Sequence, residues 1–477
     1  MLGRAPIMAL AIATSLKGQD RRMTAEIAAL NKHGVALASD SAVTITHADG
    51  DKVFNSANKL FALSKFAPVG IMIYGDASFM NVPWEPLIKV YRSSLKTHRF
   101  ATVEEYATNF TRFIERNPLF TDPEVQLRFF VWRSFQVFAS LKTQTDEFVR
   151  MLTYEQDGTM SPEQLGMVVD MVIDLEEKHL THHPKLTNAP PANLVSKRMK
   201  IVTEVLREAF EKIPLTATQE KRFAALLNDH FQRNYFLDET GVVIAGFGET
   251  EIYPSLVSMH IDGIFDRRLR YYVDRKVAIS DGLTASLIPF AQSEMVATFM
   301  NGINPEMDDA LNESLVRFMQ ENLAQAAKDI GKELRLRKTK RATLAKMVAA
   351  IGERAVKMLD DASTEFKRTI HRPITAALEY LPKEELGDFA ESLVHLTSLK
   401  RRVTLGTETV GGPIDVAVIS KGDGFIWLKR KHYFRPDLNP QFLATYYEKD
   451  RYAHEDKSPR KVARASRPRT RAATASR

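Results

Sequence analysis

The sequence predicts an α+β fold in which short strands are separated by two long helical insertions. Short apolar runs near both ends of the core and in the middle of the chain are typical of buried strands. Longer segments between them, about 117–239 and 321–381, repeat apolar residues at helical spacing. Over 477 residues, 44% hydrophobic and 26% charged is the composition of an ordinary globular protein with room for more than one core.

The first predicted element is a pair of strands over residues 26–30 and 35–38. Lys32-His33-Gly34 would form the turn between them, so Asp40 would fall near the end of the pair. Thr24 directly precedes the first strand, and Lys59 precedes the short apolar run at 60–63. We therefore expect these three polar residues to lie at strand ends, where side chains can meet.

The residue types at these strand ends are those of an N-terminal-nucleophile (Ntn) hydrolase. A threonine hydroxyl attacks a carbonyl only if a base takes its proton, and a free α-amine, with a pKa of about 7.7 to 8.0, can be that base. Thr24 would be the nucleophile. Lys59 would favour the alkoxide by its charge, and Asp40 would hold Lys59 charged and oriented.

Three early segments, taken in order, resemble a proteasome β-type subunit, including its bacterial relatives: residues 23–41, 58–63 and 69–75. Asp40 lies sixteen residues after Thr24, the interval that this family keeps, and Lys59 stands slightly later than its counterpart. Gly75 matches the glycine whose backbone N–H forms the oxyanion hole. The resemblance implies that Thr24, Asp40, Lys59 and Gly75 are catalytic.

Two later segments extend the resemblance to about half of the chain. Residues 242–263 resemble the central strands of the family, and residues 383–429 resemble its closing helix and hairpin. The implied fold is a four-layer α-β-β-α Ntn-hydrolase sandwich, over which the two insertions would form a helical layer or lid.

The chain departs from the family at the supporting residues. Ile279-Ser280-Asp281-Gly282 stands where a Gly-Ser-Gly turn is usual, so either Ser280 or Asp281 would be the helper. The family has an aspartate and a serine before a pair of glycines, which here is Gly411-Gly412. In this chain those two residues are displaced, which leaves Glu408 as a further candidate helper. Reduced or retuned activity would follow, and the alternative function is a catalytically inactive proteasome-like assembly or binding module.

The start of the chain permits three interpretations. Residues 1–23 could be a propeptide, or Met23 could be the initiator that is removed before Thr24, with residues 1–22 an upstream reading artefact. The third is a secretory signal built on Arg4 and the apolar run 6–13, which lacks a clear small-residue cleavage site.

The predicted organisation has seven segments: an upstream segment or propeptide (1–23), a first Ntn core segment (24–116), a helical insertion (117–239), a second Ntn core segment (240–320), a second helical insertion (321–381), a third Ntn core segment (382–434) and a basic disordered tail (435–477).

The net charge of +7 lies in the tail. Residues 457–477 carry eight Lys and Arg and no acidic residue, so the remainder is close to neutral. We interpret the tail as solubilising rather than as a nucleic-acid arm, although a basic nucleic-acid-associated factor stays a rival that predicts salt-dependent binding. No apolar run is long enough for a membrane helix, and no cysteine is present. We expect a cytoplasmic protein.

The functional prediction is a threonine amidohydrolase, a peptidase in the first instance, that acts on a peptide or other amide substrate. It would form a homo-oligomer, with an ATPase as a further partner of unknown kind, and would need no organic cofactor and no metal. The group His179, His182 and His183 has metal-like spacing but is expected at a solvated helix end.

Overall fold

The structure is a computed structural model that describes residues 24–47, 50–154, 160–237, 240–403, 411–432 and 434–441. The chain divides into two units, with the boundary between Arg430 and Lys431. In the second unit a short 3-10 turn, Pro436–Leu438, follows Arg435, whose guanidinium pairs with Asp437.

The described residues contain fourteen strands: β1 (Ala25–Asn31), β2 (Gly34–Ser39), β3 (Val43–His47), β4 (Gly50–Phe54), β5 (Leu60–Ala62), β6 (Val69–Gly75), β7 (Ser78–Phe79), β8 (Val82–Pro83), β9 (Thr240–Gly246), β10 (Ser255–Phe265), β11 (Arg268–Ala278), β12 (Ala285–Ala291), β13 (Asp415–Ser420) and β14 (Gly424–Lys429).

The same portion of the chain contains eleven α-helices: α1 (Trp84–Leu95), α2 (Val103–Glu115), α3 (Pro118–Thr121), α4 (Pro123–Tyr154), α5 (Pro162–Thr181), α6 (Met199–Ala209), α7 (Ala217–Gln232), α8 (Glu294–Asn301), α9 (Pro305–Glu333), α10 (Lys338–Tyr380) and α11 (Lys383–Val403).

The strands form two antiparallel five-stranded sheets and two small hairpins. The first sheet has the order β12-β1-β2-β13-β14, and the second has the order β11-β10-β9-β6-β5. The hairpins are β3-β4 and β7-β8. In the first sheet Ala25 pairs with Ala291 and Asn31 with Ala285, which places β1 between β12 and β2.

The turn from β1 to β2 is held by Asn31. Its side-chain oxygen accepts the backbone N–H groups of His33 and Gly34, and its amide donates to the carbonyls of Leu378 and Leu381. A Cβ at Gly34 would lie 2.6 Å from the carbonyl oxygen of Ile419, so only glycine fits this close approach. The turn therefore fixes the register of β1 against its neighbours.

Apolar residues of β1 alternate between two buried clusters. Ala28 and Leu30 belong to a cluster that also contains Met72 and Val243 of the second sheet. Ile27 and Ala29 belong to a different cluster, which they share with helix residues: Val296, Leu378, Leu386, Ala390 and Leu393. Because side chains alternate along a strand, even-numbered residues of β1 share one face and odd-numbered residues the other. The expected four-layer order stays a prediction.

The helices of the first half form two further clusters. Helices α1 and α2 contribute Leu87, Ile88, Tyr106 and Phe110 to a cluster that contains Ile71 and Ile244 of the second sheet. Helices α4 to α7 have a core of their own, and Phe265 at the end of β10 joins it. The domain boundaries expected from the sequence stay predictions.

A buried ion cluster ties the helices after α3 to the second sheet. Asp262 on β10 lies 2.5 Å from a guanidinium nitrogen of Arg133 on α4 and 2.5 Å from one of Arg270 on β11. All three side chains are almost fully buried. Over the residues described, no helix is both long enough and apolar enough to cross a membrane.

Candidate active site

The candidate site lies at the start of β1. Thr24, just before the strand, and Glu26, its second residue, are spaced two apart, so their side chains share the strand face that carries Ala28 and Leu30. Lys59 belongs to the segment that enters β5 of the second sheet, and its carbonyl accepts the N–H of Ile73 at 2.9 Å. The two sheets therefore contribute opposite charges to one place.

Four buried side chains form a continuous chain of polar contacts. The Thr24 hydroxyl donates to Oε2 of Glu26 at 2.9 Å, and the other oxygen of Glu26 lies 3.1 Å from Nζ of Lys59. The Lys59 ammonium also donates to Oδ1 of Asp40 at 2.5 Å. Thr24 is 4% exposed, and none of the other three exceeds 5%. The site thus links a hydroxyl, a carboxylate, an ammonium and a second carboxylate.

Asp40 is held by the backbone on two sides. Its Oδ1 accepts the N–H of Ala25 at 3.4 Å, and its Oδ2 accepts the N–H of Gly411 at 3.2 Å. Its own N–H donates to the carbonyl of Ala25 at 3.2 Å. These bonds fix the carboxylate at the end of β2 and thereby orient the Lys59 ammonium.

The environment changes the pKa of two members. Burial raises the pKa of Glu26 from 4.5 to about 7, although the Lys59 ammonium beside it opposes that change. Burial by itself lowers the pKa of Lys59, but the negative charges of Glu26 and Asp40 outweigh it and raise that pKa above 10.5. Lys59 therefore stays charged at neutral pH, whereas Glu26 can gain or lose a proton there.

Gly75 ends β6 with φ at 83°, a left-handed conformation that favours glycine. The ring of the preceding residue, Tyr74, stacks on Phe290 at a centroid distance of 5.4 Å, and Phe290 is the strand partner of Glu26. The Tyr74 ring therefore connects the end of β6 to Phe290 of β12, the strand that pairs with β1. The oxyanion role of Gly75 stays a prediction.

A cavity of about 220 Å³ lies beside the site. Phe290 and Ala291, which pair with Glu26 and Ala25, form part of its wall. The rest of the wall is mainly polar: Tyr74, His260, Tyr272, Asp274, Arg275 and Ser293. The backbone of Gln292, between these wall residues, donates to the Thr24 carbonyl at 3.1 Å. The cavity therefore adjoins the strand that positions the threonine.

The structure does not bring Ser280 and Asp281 to Thr24, as the helper role would require. Asp281 lies 2.8 Å from the ammonium of Lys32, which follows the last residue of β1. The seven residues of β1 separate that end from Thr24, a length of about 26 Å at the usual rise of a strand. Ser280 lies in the same exposed turn, where its hydroxyl accepts the N–H of Leu283.

Three sequence predictions fall outside the described residues. Glu408 lies in the gap 404–410, and residues 1–23, including Met23, precede the first described residue. The basic tail lies outside them from residue 442 onward. The described residues contain no group of three or more His, Asp or Glu side chains suited to holding a metal ion.

Glu26 is the site residue that sequence reasoning missed. It is a single acidic residue in an otherwise apolar strand segment, and it stands two positions after Thr24 on the same face. Burying a carboxylate costs free energy unless it is paired. An acidic residue within a strand that is expected to be buried therefore indicates a buried polar partner. The structure supplies the partners, because it places both the Thr24 hydroxyl and the Lys59 ammonium against it.

No family model matches this chain, and no curated protein matches it. Among solved structures, the helical assembly of the Anbu complex from Pseudomonas aeruginosa matches at 10% identity over 92% of this chain and 99% of that chain, with a TM-score of 0.25. The Anbu (Gly-1) mutant from Hyphomicrobium sp. strain MC1 matches at 10% identity over 91% and 98%, also with a TM-score of 0.25.

These findings correct the family resemblance drawn from the sequence. The assignment to proteasome β-type subunits is wrong, because no family model supports it and the structures that match are of Anbu, at a TM-score too low to show a shared fold. What the chain does has to be argued from its own residues.

Proposed function

We propose that the protein is a threonine amidohydrolase that hydrolyses peptide or related amide bonds with Thr24 as nucleophile. One observation carries the proposal: the Thr24 hydroxyl donates to a buried carboxylate, Glu26, which pairs with the Lys59 ammonium, and a second carboxylate, Asp40, holds that ammonium in place. A nucleophile, a base and an orienting group in hydrogen-bonded order are the signature of nucleophilic catalysis.

In the proposed reaction the Thr24 oxygen attacks the amide carbonyl carbon and its proton passes to Glu26. The pKa of Glu26, about 7, suits proton exchange at neutral pH. Lys59 stabilises the developing alkoxide by its charge, and Asp40 keeps Lys59 oriented. The C–N bond then breaks as Glu26 returns the proton to the leaving amine, and the resulting ester is hydrolysed by water in the same manner.

A second proton acceptor becomes available if Thr24 is the chain terminus. The α-amine would then serve as base beside Glu26, and Gly75 would supply an N–H to the oxyanion. The proposal requires no metal and no organic cofactor. The expected ATPase partner depended on the family resemblance alone, so it is not part of this proposal.

The four-layer α-β-β-α order belongs to the same proposal. Three clusters support it: one contains residues of both sheets, one combines the first sheet with α8, α10 and α11, and one combines the second sheet with α1 and α2. In that order the site would open at the end of the two facing sheets.

The experiment is covalent labelling of the chain expressed from Met23. Intact mass would first show whether Met23 has been removed, and a β-lactone, which acylates a reactive hydroxyl, would then be added beside a Thr24→Ala control. An epoxyketone that closes a ring on both the hydroxyl and a free α-amine reports the terminus separately. A single adduct that disappears in Thr24→Ala supports the proposal. An exposed Thr24 terminus that takes up neither reagent overturns it.

That negative result would favour the second candidate, a non-catalytic assembly module. A specific observation supports it: large apolar side chains along α9 and α10 are exposed, including Phe318, Met347 and Phe366. The exposed side chains form a docking surface that does not involve Thr24.

A further inference from the structure

Helices α9 and α10 form an antiparallel hairpin. Gly331 near the end of α9 and Arg341 near the start of α10 meet at the turn, and Leu323 packs against Gly352, where an added Cβ would lie 2.9 Å from the leucine methyl. Further from the turn, Asp308 pairs with Lys367. The inward-facing residues repeat at helical spacing, and Ala327 among them is 6% exposed. The hairpin is therefore a regular two-helix unit.

A second apolar stripe runs along each helix, one residue before the inward-facing positions. Six of its members, which together we name the outer ridge, are between 41% and 62% exposed: Leu311, Leu315, Phe318, Met347, Ile351 and Phe366. The residue before an inward-facing one is rotated by about 100° around its helix. In an antiparallel pair these two rotations point to the same side, so both stripes form one apolar face of the hairpin.

The two ends of the hairpin carry opposite charge. The first three turns of α9 hold four acidic residues and no basic one: Glu306, Asp308, Asp309 and Glu313. The turn and the start of α10, residues 334–352, hold six basic residues and no acidic one: Arg335, Arg337, Lys338, Lys340, Arg341 and Lys346. The part of α10 at the same end, residues 360–380, adds four acidic residues and three Lys or Arg. The end near α8 is thus acidic overall, and the tip is basic.

We infer that the outer ridge packs against the outer ridge of a second copy of this chain, in antiparallel direction about a two-fold axis. This pairing covers the exposed apolar side chains of both hairpins, and it places the basic tip of each copy beside the acidic end of the other. The parallel arrangement would instead set two basic tips together, at a cost in free energy. A two-fold interface is self-complementary, as one surface pairing with itself requires.

The first test is the oligomeric state of the full chain, measured by sedimentation with Leu315→Glu plus Ile351→Glu against a matched control, Ala324→Glu plus Ala349→Glu. The control adds the same charge to exposed positions on the opposite side of the hairpin. We expect the wild type and the control to associate, and the ridge variant to associate on the order of a hundredfold more weakly. A monomeric wild type, or a ridge variant that associates as strongly as the control, overturns the inference.

The second test fixes the direction. Because the chain has no cysteine, Lys340→Cys at the tip and Met307→Cys at the acidic end can each be introduced as the single thiol. Each position is one residue before an inward-facing one, Arg341 or Asp308, and therefore lies on the side of the outer ridge. Under mild oxidation we expect a mixture of the two variants to form the mixed disulfide in preference to either homodimer. Predominant tip-to-tip disulfide overturns the antiparallel arrangement. Neither test depends on Thr24, so the outcome is separate from that of the proposed function.

Discussion

Two buried ion clusters in this molecule have opposite composition. At the candidate site one cation, Lys59, lies between two carboxylates, Glu26 and Asp40. In the second sheet one carboxylate, Asp262, lies between two guanidinium groups. Both are almost fully buried, so the difference in their surplus charge has direct chemical consequences.

Backbone groups contact the surplus charge of both clusters, but to different extents. The guanidinium of Arg270 also donates to four backbone carbonyls, at His230, Phe231, Arg233 and Tyr235. Those bonds hold the end of α7 and the chain after it, so the cluster is structural. At the candidate site the surplus is negative, and burial, with a smaller contribution from the charge of Asp40, raises the pKa of Glu26 to about 7. A buried carboxyl that titrates near neutral pH beside a hydroxyl is suited to proton transfer.

The largest expected effect is that of Lys59→Met. Both carboxylates would lose their cation in a buried place, which should cost about 3–5 kcal/mol in the free energy of unfolding and abolish β-lactone labelling. Denaturant unfolding and intact mass measure the two effects. The matched control is Lys32→Met, at the opposite end of β1, where the partner Asp281 is largely exposed and the loss of stability should be small. Equal costs for the two variants would contradict the account.

Asp262→Asn tests the structural cluster. Two buried guanidinium groups would then face a neutral amide, and we expect a loss of about 3 kcal/mol in the free energy of unfolding. Labelling of Thr24, normalised to the folded protein, should be unchanged because this cluster belongs to the helices and the second sheet. Loss of labelling with stability intact would show that the two clusters are coupled.

Glu26→Gln tests the reactive cluster with little change of shape. Glutamine can accept a hydrogen bond from Thr24 but cannot take its proton, so the labelling rate should fall by about 10²-fold. The remaining rate should lose its dependence on pH near 7. If the α-amine of Thr24 alone were the base, the variant would label at close to the wild-type rate, and the proposed role of Glu26 would be wrong.

The same variant should change how stability depends on pH. The folded-state pKa of Glu26, about 7, lies above its ordinary 4.5. The contribution of Glu26 to the free energy of unfolding is therefore fully present below pH 4.5 and is lost as pH rises through 7. Unfolding midpoints measured from pH 4.5 to 8 should therefore decline less in Glu26→Gln than in the wild type. A steeper decline in the variant would reverse the sign and refute the raised pKa.

The smallest expected effect is that of Asp281→Asn. Since Asp281 is an exposed partner of Lys32 at the far end of β1, the free energy of unfolding should change very little and Thr24 labelling should not change. A large loss of labelling would restore the helper role that the sequence suggested.

The sequence supported the local features of this account better than the distant ones. Strand alternation and the glycine turn predicted β1 and β2, and Thr24, Asp40 and Lys59 were named from residue type and order. Glu26 was missed because its two partners are the Thr24 hydroxyl and Lys59, a lysine next to the other sheet. The contact with Lys59 depends on how the two sheets pack. Ser280 was named from its place in a motif, yet its turn lies at the opposite end of β1.

The hairpin illustrates the same limit. Helical spacing in the sequence included Leu323 and Ala327 in an apolar stripe, and the structure places them between α9 and α10. The outer ridge required the antiparallel pairing to be known, because only then do the two exposed stripes fall on one side. Periodicity defines the faces of one helix, whereas the partner of each face is a tertiary property.

The most direct test of the central claim is the rate of β-lactone acylation at Thr24, mapped by peptide mass spectrometry at pH 6 and pH 8. If Glu26 with a pKa of about 7 accepts the proton, the adduct should form on Thr24 alone and about tenfold faster at pH 8 than at pH 6. An adduct distributed over other hydroxyls, or a Thr24 that does not react at either pH, would contradict the claim that this buried cluster activates the threonine.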